Sequence, residues 1–319
     1  MKKPIIILTG PTGVGKTKLS IALAKKINGS IISADSMQVY RYMDIGSAKI
    51  TKEEMEGVDH YLIDILDPDE EFHVVSFQQK AKEAVDLILS QGKLPIVVGG
   101  TGFYIQALLY DIDFSQGNMD KDYRQSLELL VQEKGEGFLH QMLADVDPLS
   151  AHEIHEHNVK KVIRALEYFQ STKTPISQHN RTERQKDSPY QFAYFVLTDE
   201  RETLYQNIDL RVDQMLNAGL LDEVKALQQK GYHRGMVSMQ GLGYKELLDF
   251  LHGEINYDEA VYRIKRDTRH FAKRQLTWFK RERQVIWVDK QQFSHQDEAI
   301  LNELLEQLLE KGIGTNVNQ

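Results

Sequence analysis

GPTGVGKT, residues 10–17, decides how the rest of this chain is read. It matches G-x-x-x-x-G-K-[ST] and sits between an apolar run, PIIIL (4–8), and a stretch from Lys16 to Ile27 that reads as a helix. That is the context in which the pattern works as a phosphate-binding loop. Glycines let the backbone N–H groups turn inward around phosphate oxygens, and the following helix adds the positive end of its dipole. Lys16 supplies a point charge, and the Thr17 hydroxyl is a ligand for Mg²⁺ carried by the phosphates. The motif specifies phosphate but not the compound that bears it.

Outward from the loop, strands and helices alternate. SIISA (30–34) reads as a second strand, HYLIDIL (60–66) as a third and LPIVVGG (94–100) as a fully buried fourth. A helix is expected from about Val74 to Leu89, and FYIQALLY (103–110) begins another. Such alternation predicts an α/β fold, a P-loop parallel sheet flanked by helices. From Ser115 to Pro189 the pattern changes to polar helical segments such as YRQSLELLVQEKG (123–135) and VKKVIRALEYFQ (159–170), with no strand. Strands return at FAYFVLT (192–198) and VIWVD (285–289), and GIGTNVNQ (312–319) is expected to fray. The expected organisation is a catalytic core from residues 1–114 and 191–319, with an inserted all-helical domain over 115–190.

Composition narrows the class. No run approaches the roughly 20 apolar residues that span a bilayer, and MKKPIIILTG reads as a first strand rather than a leader. With no cysteine there is neither disulfide nor thiolate metal site, which fits the cytoplasm. The net charge of −8 hides an asymmetry: RIKRDTRHFAKRQLTWFKRER (263–283) holds nine Lys/Arg against two acids. On a helix, Ile264, Thr268, Phe271, Ala272, Gln275 and Phe279 fall on one face, and Arg266, Arg269, His270, Lys273, Lys280 and Arg281 on the other. That second face is either a solvated surface or a track for phosphodiesters.

Three strand ends carry polar groups: the phosphate loop, ADSMQ (34–38) and GGTG (99–102). In an open α/β sheet such ends converge on one crevice. Asp35 would there accept a proton or hydrogen-bond an amine, and Gln38 would offer an amide to a base edge. Asp35, Ser36 and Thr101 equally suit helix capping, and Gly99 and Gly100 suit tight packing. The acid expected at the end of a second buried strand in switch and motor NTPases is missing after LPIVV. Asp64 is either a substitute or an ordinary paired carboxylate.

Seven blocks then occur in order: GPTGVGKT, SADSMQVY, DIGSAK (44–49), VGGTGFYIQAL (98–108), RVDQMLNAGLLDEV (211–224), LGYKEL (242–247) and AKRQLTWFK (272–280). Together, over about residues 5–289, they resemble the tRNA dimethylallyltransferases, bacterial P-loop prenyl transferases. The resemblance implies transfer of a dimethylallyl group from dimethylallyl diphosphate to N6 of the adenosine 3′ of the anticodon, in tRNAs reading codons that begin with U. It implies Mg²⁺ at Thr17, a partner tRNA contacted at its anticodon stem-loop, no membrane partner, and a monomer. Asp35 becomes the general base, with Thr101 and Lys16 at the reacting centre. Gly10, Pro11, Thr12, Gly13, Val14 and Gly15 hold diphosphate with Lys16 and Thr17, and Arg211 is a second clamp unless it forms a structural salt bridge.

For tRNA, the same resemblance assigns Asp35, Ser36, Met37, Gln38 and Thr101 to the extruded adenosine. Arg124, Lys160, Lys161 and Arg164 of the insertion fall to the stem-loop. The family's usual arginine is replaced at Lys161, which keeps charge but loses bidentate geometry. Gln240, Tyr244 and Lys245 form a further contact, and Lys273, Arg274, Gln275, Trp278 and Lys280 form the basic helical one. The competing readings are a P-loop kinase acting on a nucleotide or small metabolite, a prenyl transferase acting on free adenine nucleotides, and a non-catalytic RNA-binding protein.

Overall fold

Ile5, Ile6, Ile7 and Leu8 have no solvent exposure at all. A strand apolar on both faces belongs in the middle of a covered parallel sheet, and the computed structural model, which describes residues 2–114 and 120–314, places it there. In chain order the first elements are β1 (Lys3–Thr9), α1 (Lys16–Lys26), β2 (Gly29–Ser33), β3 (His60–Tyr61), α2 (Val74–Ser90), β4 (Leu94–Gly99) and α3 (Gly102–Leu109). Next come α4 (Lys121–Lys134), α5 (Glu136–Val146), α6 (Pro148–Glu153), α7 (Val159–Thr172) and α8 (Ile176–Gln185). The last are β5 (Tyr190–Thr198), α9 (Arg201–Asn217), α10 (Leu220–Gln229), α11 (Tyr244–Leu251), α12 (Tyr257–Phe279), β6 (Val285–Asp289) and α13 (Asp297–Glu310). The sheet runs β3-β2-β4-β1-β5-β6 with every pair parallel.

Contacts divide the chain into two units, Met1–Leu109 with Pro189–Gln319, and Tyr110–Ser188. The first carries the sheet. The second, in its described residues, is helical and closes on Leu127, Leu139, Leu143, Val162, Ile163 and Leu166. Its corner is tied by Asp147, whose carboxylate accepts hydrogen bonds from the backbone N–H and hydroxyl of both Ser150 and Ser177. Among the described residues no helix is long and apolar enough to cross a membrane.

Two expectations change. The third strand stops after Tyr61, because Leu62 and Asp64 sit at φ 63° and 54°, in left-handed conformations no strand continues through. At the other end of the chain, Ile313 is 2% exposed and packs into the sheet's core cluster, so the expected fraying does not include Ile313. Residues 315–319 lie outside the described residues.

The ends of β2 and β4 meet without a side chain between them. A Cβ at Gly99 would lie 2.2 Å from the backbone oxygen of Ala34, and the N–H of Ala34 donates to Val98 O at 2.8 Å. Gly99→Ala therefore forces two strand ends apart. We expect a loss of about 1–3 kcal/mol, the range for overpacking a dense interior, read as a lower urea midpoint with an unchanged m-value.

Candidate active site

The phosphate loop turns on three positive φ angles: Gly10 at 147°, Gly13 at 83° and Gly15 at 89°. A Cβ on Gly10 would also lie 2.5 Å from Leu197 O of β5. Gly15 is the N-cap of α1 and supplies no capping side chain, so the first-turn N–H groups are left facing the loop. Lys16 folds back over it, donating from Nζ to the carbonyls of Gly10 and Pro11 at 2.9 Å each. Burial, and then the neighbouring Arg211 charge, bring the Lys16 ammonium down to about 7, against a partial upward pull from Asp35. Arg211, from α9, makes no hydrogen bond or ion pair with any described residue. Burial lowers its pKa, opposed by Asp35 and Glu54. Two crowded cations share one carboxylate, Asp35, with Glu54 acting on Arg211 alone, an arrangement that suits an anion.

Two cavities meet here, one of about 140 Å³ along the loop and one of about 480 Å³ beyond it. Thr12, Asp35, Ser47, Arg211, Phe271 and Gln275 line both. Asp35 Oδ1 caps the turn after β2, accepting the N–H of Met37 at 2.8 Å and of Gln38 at 3.4 Å. Its Oδ2 accepts nothing from any described residue. The capping role thus falls to Oδ1 alone. Thr101 also opens α3 through its carbonyl, which accepts the Tyr104 N–H at 2.9 Å, while its hydroxyl stays unbonded in the larger cavity. Ser36 and Met37 line the same cavity. So do Ile208, Val212, Met215 and Leu220, an apolar wall the sequence reading missed. The 208–212–215 spacing was visible, but it is equally the spacing of an ordinary packing stripe.

Several expected RNA contacts are already used inside the protein. Gln38 lines the smaller cavity, and its amide accepts the Ser33 hydroxyl at 3.1 Å and donates to Ala48 O at 3.3 Å. Gln275 is 6% exposed and bonded at both ends of its amide. Tyr244 is fully buried, with its hydroxyl donating to Glu223 Oε1 at 2.8 Å. Glu223 also accepts the N–H groups of Asp44, Ile45 and Gly46 at 2.8–3.1 Å, so Tyr244 and Glu223 together hold the lip of the crevice. Gln240 is exposed and donates to Arg234 O, and Lys245 is half-buried on the larger cavity. Asp64 is the paired carboxylate of the two readings, 2.5 Å from Lys49 Nζ.

Ion pairing also splits the basic helix. Arg263, Lys265, Arg266 and Arg269 pair with Glu259, Asp213, Asp267 and Asp209. Arg269, expected on the free face, is instead tied to α9. Lys273, Arg274, Lys280 and Arg281 are exposed and pair with no described acid. With Trp278, three of them line an open depression of about 390 Å³. In the second unit Arg124 gives Nε and Nη2 to Glu167 at 2.8 and 2.7 Å while part of its side chain stays exposed. Lys160 and Lys161 are exposed, and Arg164 is half-buried.

Comparison with known proteins gives three kinds of match. The IPP transferase family matches residues 38–282. A tRNA dimethylallyltransferase of Lachnoclostridium phytofermentans is 61% identical over 311 residues, covering 98% of this chain and 99% of that one. Among solved structures, a full-length tRNA isopentenylpyrophosphate transferase from Bacillus halodurans aligns with a TM-score of 0.73 at 44% identity, over 98% of each chain. A eukaryotic dimethylallyltransferase acting on tRNA aligns with a TM-score of 0.76 at 31% identity, over 90% of this chain and 74% of that chain.

Lys16 yields a proton-linked prediction. A polyanion beside Nζ favours the ammonium form and raises a pKa that starts at about 7. At pH 8, binding inorganic diphosphate should therefore take up about one proton, and affinity should fall as pH rises from about 7 towards 9. Calorimetry in buffers of different ionisation enthalpy measures the uptake. Lys16→Met should abolish it, and an unchanged uptake in that variant would assign the proton elsewhere.

Proposed function

This chain belongs to the IPP transferase family, and from that premise we propose that it is a tRNA dimethylallyltransferase. It transfers a dimethylallyl group from dimethylallyl diphosphate to N6 of the adenosine 3′ of the anticodon, position 37, in tRNAs that read codons beginning with U, and releases diphosphate. One observation carries the reading. Lys16 lines the smaller, anion-sized cavity, and Arg211 and Asp35, whose Oδ2 accepts no hydrogen bond from a described residue, line both that cavity and the larger one.

Diphosphate lies in the smaller cavity, against the loop N–H groups, Lys16 and Arg211. The adenosine enters the larger one, which requires it to leave its stack. As the N6–C bond forms, the allylic C–O bond breaks and its electron pair leaves with diphosphate. Lys16 and Arg211 stabilise the charge that grows there. The N6 proton goes to Asp35 Oδ2, and the Thr101 hydroxyl orients the amine beside it. Ile208, Val212, Met215 and Phe271 keep water from the allylic carbon while it carries cationic character.

The described residues hold no cluster of three carboxylate or imidazole ligands for a metal. Thr17, exposed at the start of α1 and lining the smaller cavity, fits a Mg²⁺ that takes most of its oxygens from diphosphate and water. Such an ion would neutralise leaving-group charge, with the Thr17 hydroxyl as its protein ligand.

Lys273, Arg274, Lys280 and Arg281 supply the tRNA phosphate track, and Lys160, Lys161 and Arg164 of the helical unit meet the anticodon stem-loop. A cytoplasmic location fits the absence of cysteine, and a monomer remains part of the proposal.

Asp35→Asn should lower turnover by roughly 10²- to 10⁴-fold, the usual worth of a positioned base, and leave tRNA affinity intact. The assay follows prenylated adenosine by mass spectrometry after digestion of tRNA, with AMP and ATP as competing acceptors. Equal labelling of AMP would refute the tRNA reading, and ATP hydrolysis without prenyl product would replace it with a kinase. Separately, replacing Lys273 and Arg274 by alanine should reduce the log–log salt slope of tRNA binding by about two. An unchanged slope would remove both residues from the interface.

A further inference from the structure

Gln275 is the place where α12 touches the phosphate loop. Its Oε1 accepts the N–H of Thr12 at 2.9 Å, and its Nε2 donates to the carbonyl of Gly100 at 2.9 Å. The two bonds fix the amide's orientation, because the reverse would set donor against donor and acceptor against acceptor. They also join two of the three strand ends that form the crevice, the one after β1 and the one after β4. The approach depends on glycine. A Cβ at Gly100 would lie 2.0 Å from Gln275 Nε2, and one at Gly102 would lie 2.2 Å from Trp278 Cδ1. Gln275 lines both cavities, as does Phe271 one turn earlier. On the outer side of the same helical turns stand Lys273 and Arg274, exposed and paired with no acid among the described residues.

We propose that Gln275 is a positioning residue. It sets the separation between the diphosphate cradle and the Thr101 side of the crevice, and it ties that separation to the helix on which tRNA docks. The proposal rests on the function given above. That reading, with the resemblance behind it, placed Gln275 among the groups touching RNA, and the geometry points instead to an internal strut. A side chain bonded in this way has little left for a base or a phosphate. Without it, Thr12 and Gly100 keep their places only through neighbouring loop contacts. The reacting atoms would then be held in a looser array, with the substrates bound nearly as well as before.

The test uses Gln275→Glu and Gln275→Met in the full chain with dimethylallyl diphosphate and unmodified tRNA. Glutamate keeps the acceptor for Thr12 but sets an oxygen against Gly100 O, whereas methionine keeps only the volume. The expected order of kcat is wild type, then Glu, then Met. The Met variant should be down roughly 10- to 100-fold, as for a displacement of about 1 Å at a reacting centre. KM for each substrate should stay within about threefold, the mark of an interaction felt in the transition state. Thermal unfolding and far-ultraviolet circular dichroism report the folded fraction, and the glutamate variant decides if methionine does not fold. A raised KM for tRNA with unchanged kcat would return Gln275 to the RNA interface and overturn the proposal. So would a kcat that falls only in proportion to the folded fraction, or one equal to wild type. Failure of the underlying function is seen separately, as absence of prenylated tRNA from the wild-type protein.

Discussion

Positive charge without enough negative charge to match it governs this crevice. Lys16 and Arg211 crowd together with Asp35 as their shared acidic neighbour, and the half-buried guanidinium makes no hydrogen bond or ion pair with a described residue. A protein that merely needed stability would neutralise or expose such groups, since an unpaired buried charge is costly. Under the proposed function the missing partner is the diphosphate of the donor. The depressed lysine follows from burial and from the crowding of the two cations.

Close backbone approach does the rest. Gly99 lets β2 and β4 end side by side, Gly100 admits the amide of Gln275, Gly102 admits the indole of Trp278, and Gly46 lies against the Tyr244 ring. Each contact brings an element from far along the chain to the carboxyl ends of the strands. The crevice is thus assembled from segments around residues 12, 35, 46, 101, 211 and 275, which no local stretch of sequence contains.

What the sequence made legible follows from this. The phosphate loop, the parallel strands and the two faces of α12 rest on local pattern, and local pattern is what a sequence displays. Asp35 and Thr101 were picked out because strand ends converge in any open parallel sheet. What stayed illegible, the internal bonding of polar side chains, has a different cause. Gln38, Gln275, Tyr244, Arg124 and Arg269 are polar residues on plausible surfaces. Whether a polar group faces solvent or is spent on Ala48, Gly100, Glu223, Glu167 or Asp209 depends on distant partners. The shortened third strand fails for a related reason. Its residues alternate well enough, but Leu62 and Asp64 adopt left-handed backbone angles that no propensity announces.

Glu223 carries a last consequence. Its carboxylate collects three consecutive backbone amides from residues 44–46 and the Tyr244 phenol. Those amides belong to a loop, yet their exchange with deuterium should follow the opening of α10 and α11 rather than local fraying. The rim nearest Ser47 is thereby anchored to the helical scaffold and not left to the loop's own contacts.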